Sequence, residues 1–145
     1  MRIAVLNGPN LNLLGQREPE VYGRTTLAEI EAMVRETAGP LGVQIEWFQT
    51  NHEGEMVDAV QRLRGHADGA LINAAALTHS SLALRDALLA VRVPFVELHL
   101  SNIFAREPER RHSMIADLAL GMVTGFGAQS YVLALQALLG RLRAA

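Results

Sequence analysis

Residues 2–23 read RIAVLNGPNLNLLGQREPEVYG, and the reading of the whole chain turns on them. A short apolar run, Arg2–Asn7, has the length and composition of a strand and ends abruptly in a loop of glycine and polar side chains. Asn7, Asn10, Asn12 and Arg17 carry side chains that can reach a ligand, and Tyr22 follows five residues after Arg17. Tyr22 is one of only two tyrosines in the chain. A tyrosine is ordinarily a packing residue with a polar handle. Among these neighbours, Tyr22 is a candidate for chemistry.

Outward from this stretch, short apolar runs alternate with helical periodicity. Thr26 and Glu29 form a T-x-x-E capping box, followed by Leu27, Ile30, Met33 and Val34 at helical spacing. Gly39-Pro40 and Gly42 end that helix. Residues 43–49 read as a second strand, and Thr50 with Glu53 offers another capping box before Met56, Val57, Val60 and Leu63. Gly69–Asn73 is a third strand, and an Ala- and Leu-rich helix follows over residues 80–91. Residues 94–100 and 118–124 read as the fourth and fifth strands, and Tyr131, Leu135, Leu138 and Leu142 mark a last helix.

Strands that alternate with helices imply a parallel sheet covered on both faces. Five such units in 145 residues predict a doubly wound, five-stranded, flavodoxin-like α/β domain spanning residues 1–145. In such folds ligands bind beyond the carboxyl ends of the strands. Polar side chains gather at those places: Asn7 and Asn10 after the first strand, Asn51, His52 and Glu53 after the second, Asn73, Thr78 and His79 after the third. The fourth strand delivers Glu97, His99, Ser101 and Asn102.

Composition narrows the chemistry. Half of the residues are hydrophobic, enough for a packed core, and no apolar run approaches the roughly 18 residues of a membrane span. The N-terminal apolar run is too short for a signal peptide, so a cytoplasmic location is expected. A net charge of −2 gives no basic balance for nucleic acid. The chain has no cysteine, which excludes disulfides, thiolate nucleophiles and cysteine metal sites. It has no lysine either, because all 13 basic residues are arginine. A Schiff base needs a lysine amine, so no carbonyl compound can be activated here as a lysine imine.

Three further segments carry side chains suited to a site. In ELHLSN, residues 97–102, strand alternation puts Glu97 and His99 on one face and Leu98 and Leu100 on the other. A carboxylate beside an imidazole fixes its tautomer and suits a general acid or base, while the plain alternative is a half-buried histidine in a polar network. In INAAALTHSS, residues 72–81, small residues let a ligand approach the backbone, and Asn73, Thr78, His79 and Ser80 can hydrogen-bond; a strand, tight loop and helix cap would look the same. In AREPERRH, residues 105–112, Arg106 and Arg110 lie four apart, on one side of any helical turn, and their forks match carboxylates and hydroxyls. Arg111 reads as solvated surface.

Other motifs fail. Gly125-Phe126-Gly127 lacks the third glycine and the acidic partner of a dinucleotide fingerprint. His52-Glu53-Gly54 lacks the second histidine of a zinc motif, and the chain has no P-loop.

GPNLNLLGQREPEVYG, QTNHEGEMVD, INAAALTHSSLALRDAL and ELHLSNIFAREPERRHS together resemble the type II 3-dehydroquinate dehydratases, in order and over nearly the whole chain. The resemblance implies reversible loss of water from 3-dehydroquinate to give 3-dehydroshikimate, in the shikimate or quinate pathway, through an enolate. It implies neither metal nor organic cofactor, and a dodecamer built as a tetramer of trimers. By the same resemblance Tyr22 would be the base at carbon 2. Arg17 would favour its phenolate and help close a lid, and Asn10 would position a water on the enolate. His99, oriented by Glu97, would protonate the departing hydroxyl. Asn73, His79 and Arg110 would hold ring hydroxyls, the backbone of Leu100 and Ser101 would hold the carboxylate, and Arg106 would join the active-site arginines. Asp86 would reach a neighbouring subunit's site. The chain departs from the family at Leu77, often tyrosine there, at Glu109, often phenylalanine, and at Ser130, often glycine; Pro108 adds a constraint to the arginine loop. The competing reading is a non-enzymatic flavodoxin-like module that binds a small polyol acid.

Overall fold

The structure is a computed structural model that describes residues 1–16 and 18–144. Strands β1 (Arg2–Asn7), β2 (Gln44–Gln49), β3 (Gly69–Asn73), β4 (Phe95–His99) and β5 (Gly121–Thr124) form one sheet in the order β2-β1-β3-β4-β5. Every neighbouring pair is parallel. The helices are α1 (Pro19–Tyr22), α2 (Leu27–Ala38), α3 (Glu53–Arg62), α4 (Leu77–Ser80), α5 (Leu82–Val91) and α6 (Gln129–Ala144).

The two-residue period of the strands builds two cores. Ile3, Val5, Leu71, Val96 and Leu98 bury against Ile30 and Val34 of α2 and Leu135 and Leu138 of α6. Ala4, Leu6, Ala70, Ile72 and Phe95 bury against Met56 and Val60 of α3 and Leu84 and Leu88 of α5. Each fully buried aliphatic side chain contributes about 1.5–3 kcal/mol. With both faces covered, β3 and β4 read as continuous buried runs. The flavodoxin-like architecture expected from the sequence is the one found.

The strand order reverses at β1. The chain leaves β1 for β2 on one side, then crosses back to β3 on the other, which opens a crevice at the carboxyl ends of β1 and β3. Gly8 lets the two chain segments meet there: a Cβ on it would lie 2.3 Å from the carbonyl oxygen of Ala74.

Local details follow expectation in some places and differ in others: β2 and β4 are each slightly shorter than the expected 43–49 and 94–100. The Thr26–Glu29 capping box forms in both directions, with Glu29 N donating to Thr26 Oγ1 over 3.2 Å and Thr26 N to Glu29 Oε1 over 3.1 Å. The Thr50–Glu53 box does not form. Thr50 Oγ1 donates to Glu55 and accepts from His52 N, while Glu53 accepts from Ser81 on another element. The helix over residues 80–91 is broken at Ser81, whose extended backbone and hydroxyl cap α5. The fifth strand is shorter than residues 118–124 because Ala116–Leu118 turns as a 3₁₀ helix.

Candidate active site

A cleft of about 90 Å³ opens at this reversal point, lined from the ends of β1, β3 and β4 and from two loops. Asn10 lines it after β1, in a left-handed conformation (φ 69°) that asparagine tolerates. Its backbone N–H donates to Asn51 Oδ1 over 2.9 Å, so the loop after β2 props the cleft from behind.

Asn73 ends β3 and also lines the cleft. Its Nδ2 donates to the Tyr131 hydroxyl over 3.0 Å and its Oδ1 accepts from Ala75 N. The Tyr131 hydroxyl in turn donates to Asn7 Oδ1 over 2.6 Å, and Asn7 Nδ2 donates to the Phe48 carbonyl. Burial pushes the Tyr131 phenol far above its ordinary range, with the Asn73 donation opposing it, so the group stays a neutral donor.

His79 lies on the single turn of α4. Its Nδ1 lies 2.8 Å from the His112 carbonyl, which can only accept, so Nδ1 carries the proton. Burial holds its pKa below the usual histidine value; the His112 carbonyl works the other way, and the nearby charges of His99 and Arg110 add to the lowering. A neutral His79 presents an Nε2 lone pair, an acceptor for a hydroxyl. Its ring stacks on that of His99, with centroids 6.3 Å apart.

Glu97 and His99 share one face of β4 as alternation requires. Glu97 is 0% exposed and His99 5%. His99 Nε2 lies 2.5 Å from Glu97 Oε2, and Ser113 Oγ lies 2.8 Å from Glu97 Oε1. With Nε2 committed to the carboxylate, Nδ1 is the ring nitrogen left for the cleft, which Leu100 and Ser101 border beyond it.

The arginine loop closes the far side. Asn102 caps its first turn by accepting from Phe104 N. Arg106 Nη1 donates to the Tyr22 hydroxyl over 3.0 Å. Arg110 lines the cleft, its Nε 2.9 Å from a Glu107 carboxylate oxygen but angled off a hydrogen bond. Arg111 is exposed and donates to the Arg106 carbonyl, a brace on the surface.

Tyr22, Asn10, Asn73, His79, His99, Leu100, Ser101, Arg106 and Arg110 therefore meet at one cleft, with Glu97 behind His99. Several expected residues do not. Asn7 is buried and spends its amide on Tyr131 and Phe48. Asn12 is exposed on the turn Leu11–Leu13 after β1, outside the lining, and Asn51, His52 and Glu53 are exposed outside it at the end of the edge strand β2. Asp86 is exposed on α5, away from its own chain's cleft. Arg17 lies outside the described residues. The sequence assigns Ser113 and Tyr131 no role in the site. The signal for Tyr131 is chemical: a tyrosine in a buried helical stripe needs a partner for its hydroxyl.

Among the described residues no group of three or more histidines, cysteines or carboxylates could hold a metal ion. No described helix is long and apolar enough to cross a membrane.

The model of the family described as Dehydroquinase class II matches residues 1–139. The chain belongs to the class II dehydroquinase family. A 3-dehydroquinate dehydratase of Synechococcus sp. (strain WH7803) is 58% identical over 143 residues, which cover 99% of this chain and 97% of that one. The crystal structure of the type II dehydroquinase from Butyrivibrio crossotus superposes with a TM-score of 0.93 at 38% identity, covering 96% of this chain and 97% of that one. That from Propionibacterium acnes gives 0.91 at 40%, covering 96% of each.

Leu77, Pro108, Glu109 and Ser130, the positions at which the sequence resemblance leads one to expect a departure from this family, lie off the cleft lining. Leu77 packs on the core beneath α3 and α5. Pro108 opens the turn Pro108–Arg110, and Glu109 is exposed on it. Ser130 is buried and its hydroxyl accepts from Phe126 N.

Proposed function

We propose that this protein catalyses the reversible dehydration of 3-dehydroquinate to 3-dehydroshikimate, a step of the shikimate or quinate pathway, with Tyr22 as base and His99 as acid. Family membership over residues 1–139 supports the reaction. The observation that carries the residue roles is the opening of Tyr22 and His99 onto one cleft, with Glu97 bonded to His99 from behind.

In the forward direction the Tyr22 phenolate takes the proton from carbon 2, and the C–H electron pair moves into an enolate. Arg106 sets a positive charge against the atom that carries the phenolate. Asn10 positions a water that donates to the enolate oxygen. As the carbonyl re-forms, the C–O bond breaks and His99 gives its Nδ1 proton to the departing hydroxyl, which leaves as water. Glu97 stabilises the imidazolium and fixes which nitrogen faces the substrate. The proton then passes from Tyr22 through solvent back to His99, which resets both groups. Asn73, His79 and Arg110 hold ring hydroxyls, with the His79 lone pair as acceptor, and the backbone of Leu100 and Ser101 holds the carboxylate. Arg17, five residues before Tyr22 in the sequence, would add charge and help close the site, as the family resemblance implies. Water exclusion strengthens each of these interactions.

The chain works as one catalytic domain in the cytoplasm, without a cofactor, in a dodecamer of four trimers. Asp86 serves a neighbour's cleft from an α5 face that also exposes Leu82 (58%) and Leu89 (46%).

The test mixes purified protein with 3-dehydroquinate in metal-free buffer and follows the enone absorbance of the product. Turnover is expected, with kcat lowered at least about a hundredfold in folded Tyr22→Phe and His99→Ala, the scale of a lost acid or base. Absence of turnover overturns the reaction; near-normal kcat in Tyr22→Phe removes that residue as base.

A further inference from the structure

We propose that Ser113 is a positioning residue for the acid: its hydroxyl pins the Glu97 carboxylate and, through it, the ring of His99. The proposal rests on the reading of His99 as the proton donor.

The direction of the hydrogen bond follows from the geometry. Ser113 Oγ accepts from Ile115 N over 3.2 Å and from Ala116 N over 3.0 Å. A hydroxyl has two lone pairs and one proton. With both lone pairs occupied, the proton points to Glu97 Oε1, 2.8 Å away. The two backbone donors also polarise the O–H and strengthen it as a donor.

Glu97 is wholly buried, so water cannot take the place of either partner. His99 holds one carboxylate oxygen and Ser113 the other. Held at Oε2 alone, the carboxylate could pivot about its last bond and swing the imidazole with it. Held at both oxygens, it cannot turn without breaking two hydrogen bonds.

Ser113 is itself anchored on both sides. The carbonyl of His112 accepts from His79 Nδ1, Met114 N donates to the Thr78 carbonyl over 2.8 Å, and Arg85 donates to the Met114 carbonyl over 2.8 Å. Residues 112–114 thus orient both histidines, His79 directly and His99 through Ser113 and Glu97. This common brace accounts for the stacked approach of the two rings. Ser113 does not line the cleft, so its loss acts on the chemical step and spares binding.

The experiment measures kcat and KM for 3-dehydroquinate in wild type, Ser113→Ala, Ser113→Thr and His99→Ala. Ser113→Ala is expected to lose about ten- to a hundredfold in kcat, the size of a lost hydrogen bond to a charged group, with KM within about twofold; Ser113→Thr, which keeps the hydroxyl, restores most of the rate. Should Ser113→Ala fail to fold, Ser113→Cys carries the test: it keeps the volume but donates weakly, and an intermediate kcat is expected. Unchanged kcat in Ser113→Ala or Ser113→Cys, or no rescue by threonine, overturns the role of Ser113 while the loss in His99→Ala stands. Normal turnover in His99→Ala overturns the reading beneath it.

Discussion

Arg106 binds Tyr22 twice over: Nη1 donates to the hydroxyl over 3.0 Å, and the guanidinium carbon lies 5.1 Å from the centre of the ring. The two residues come from loops 84 positions apart, and the same Nη1 reaches Ser101 Oγ at 3.4 Å. One planar cation therefore ties the Tyr22 loop to the end of β4. Lysine offers a point charge on a flexible stem and cannot reproduce a fork that also lies against a ring.

Replacement of Arg106 should cost rate in proportion to what is lost. Arg106→Ala removes the charge and both contacts, and kcat should fall by about a hundredfold, the sum of a charged hydrogen bond and a cation–π contact of a few kcal/mol together. Arg106→Lys should recover part of that and no more. Steady-state assays on the two variants decide it; a lysine variant equal to wild type would mean that only net charge matters at this position.

His79 makes stability depend on pH in one direction. Burial lowers its pKa in the folded state below 6.5, so the unfolded chain binds this proton more readily than the folded one. The contribution of neutral His79 is complete above 6.5 and drains away as pH falls through the folded value. Urea midpoints measured at pH 7 and pH 5 should fall more in wild type than in His79→Gln, whose side chain still donates to the His112 carbonyl but does not titrate. The difference between the two proteins isolates this residue from the carboxylates Glu107 and Asp117, whose pKa values are also lowered. Below that range KM should rise as well, because a protonated Nε2 no longer accepts from a hydroxyl. Parallel curves for the two proteins would discount a neutral, buried His79.

What the sequence disclosed depended on whether a residue's partners were local. Glu97 and His99 were legible because strand parity puts them on one face, and the Thr26 cap because its partner lies three residues on. Asn7 shows two rules in conflict. As a strand-end residue it suggested the cleft; by parity it belongs with Ile3 and Val5, on the face that Tyr131 covers. Parity prevailed, since a buried amide with all its partners in place is cheaper than one left open. Glu53 left the Thr50 box for Ser81, the cap residue of α5 28 positions on, and the Arg106–Tyr22 pair joins distant segments, so no local spacing announced either.

Asp86 offers a test of assembly. It sits on an exposed face of α5 beside Leu82 and Leu89, away from its own cleft. If it completes a neighbour's cleft, Asp86→Ala should raise KM, and sedimentation should find a multiple of the single chain. Co-assembly of Asp86→Ala with Tyr22→Phe should then create clefts that draw Tyr22 from one subunit and Asp86 from the next. The mixture should exceed the summed activities of the two proteins measured apart. Activity equal to the sum, in a verified mixed assembly, would confine Asp86 to its own chain.

Tyr131 links the core to the cleft. Its hydroxyl joins Asn7 and Asn73, two amides at the carboxyl ends of neighbouring strands that pair directly in register. In Tyr131→Phe the Asn7 carbonyl loses its donor and the Asn73 amide its acceptor, and no water replaces them in so buried a place. Each unmet group costs about 1–3 kcal/mol, so a loss of about 2–6 kcal/mol is expected in urea unfolding. The Asn73 side chain, free to turn, should also hold the substrate less well, raising KM several-fold with a smaller change in kcat, because the Tyr131 hydroxyl acts on a binding residue. Stability loss with an unchanged KM would show that the trio holds the sheet together and leaves the orientation of Asn73 to the Ala75 backbone alone.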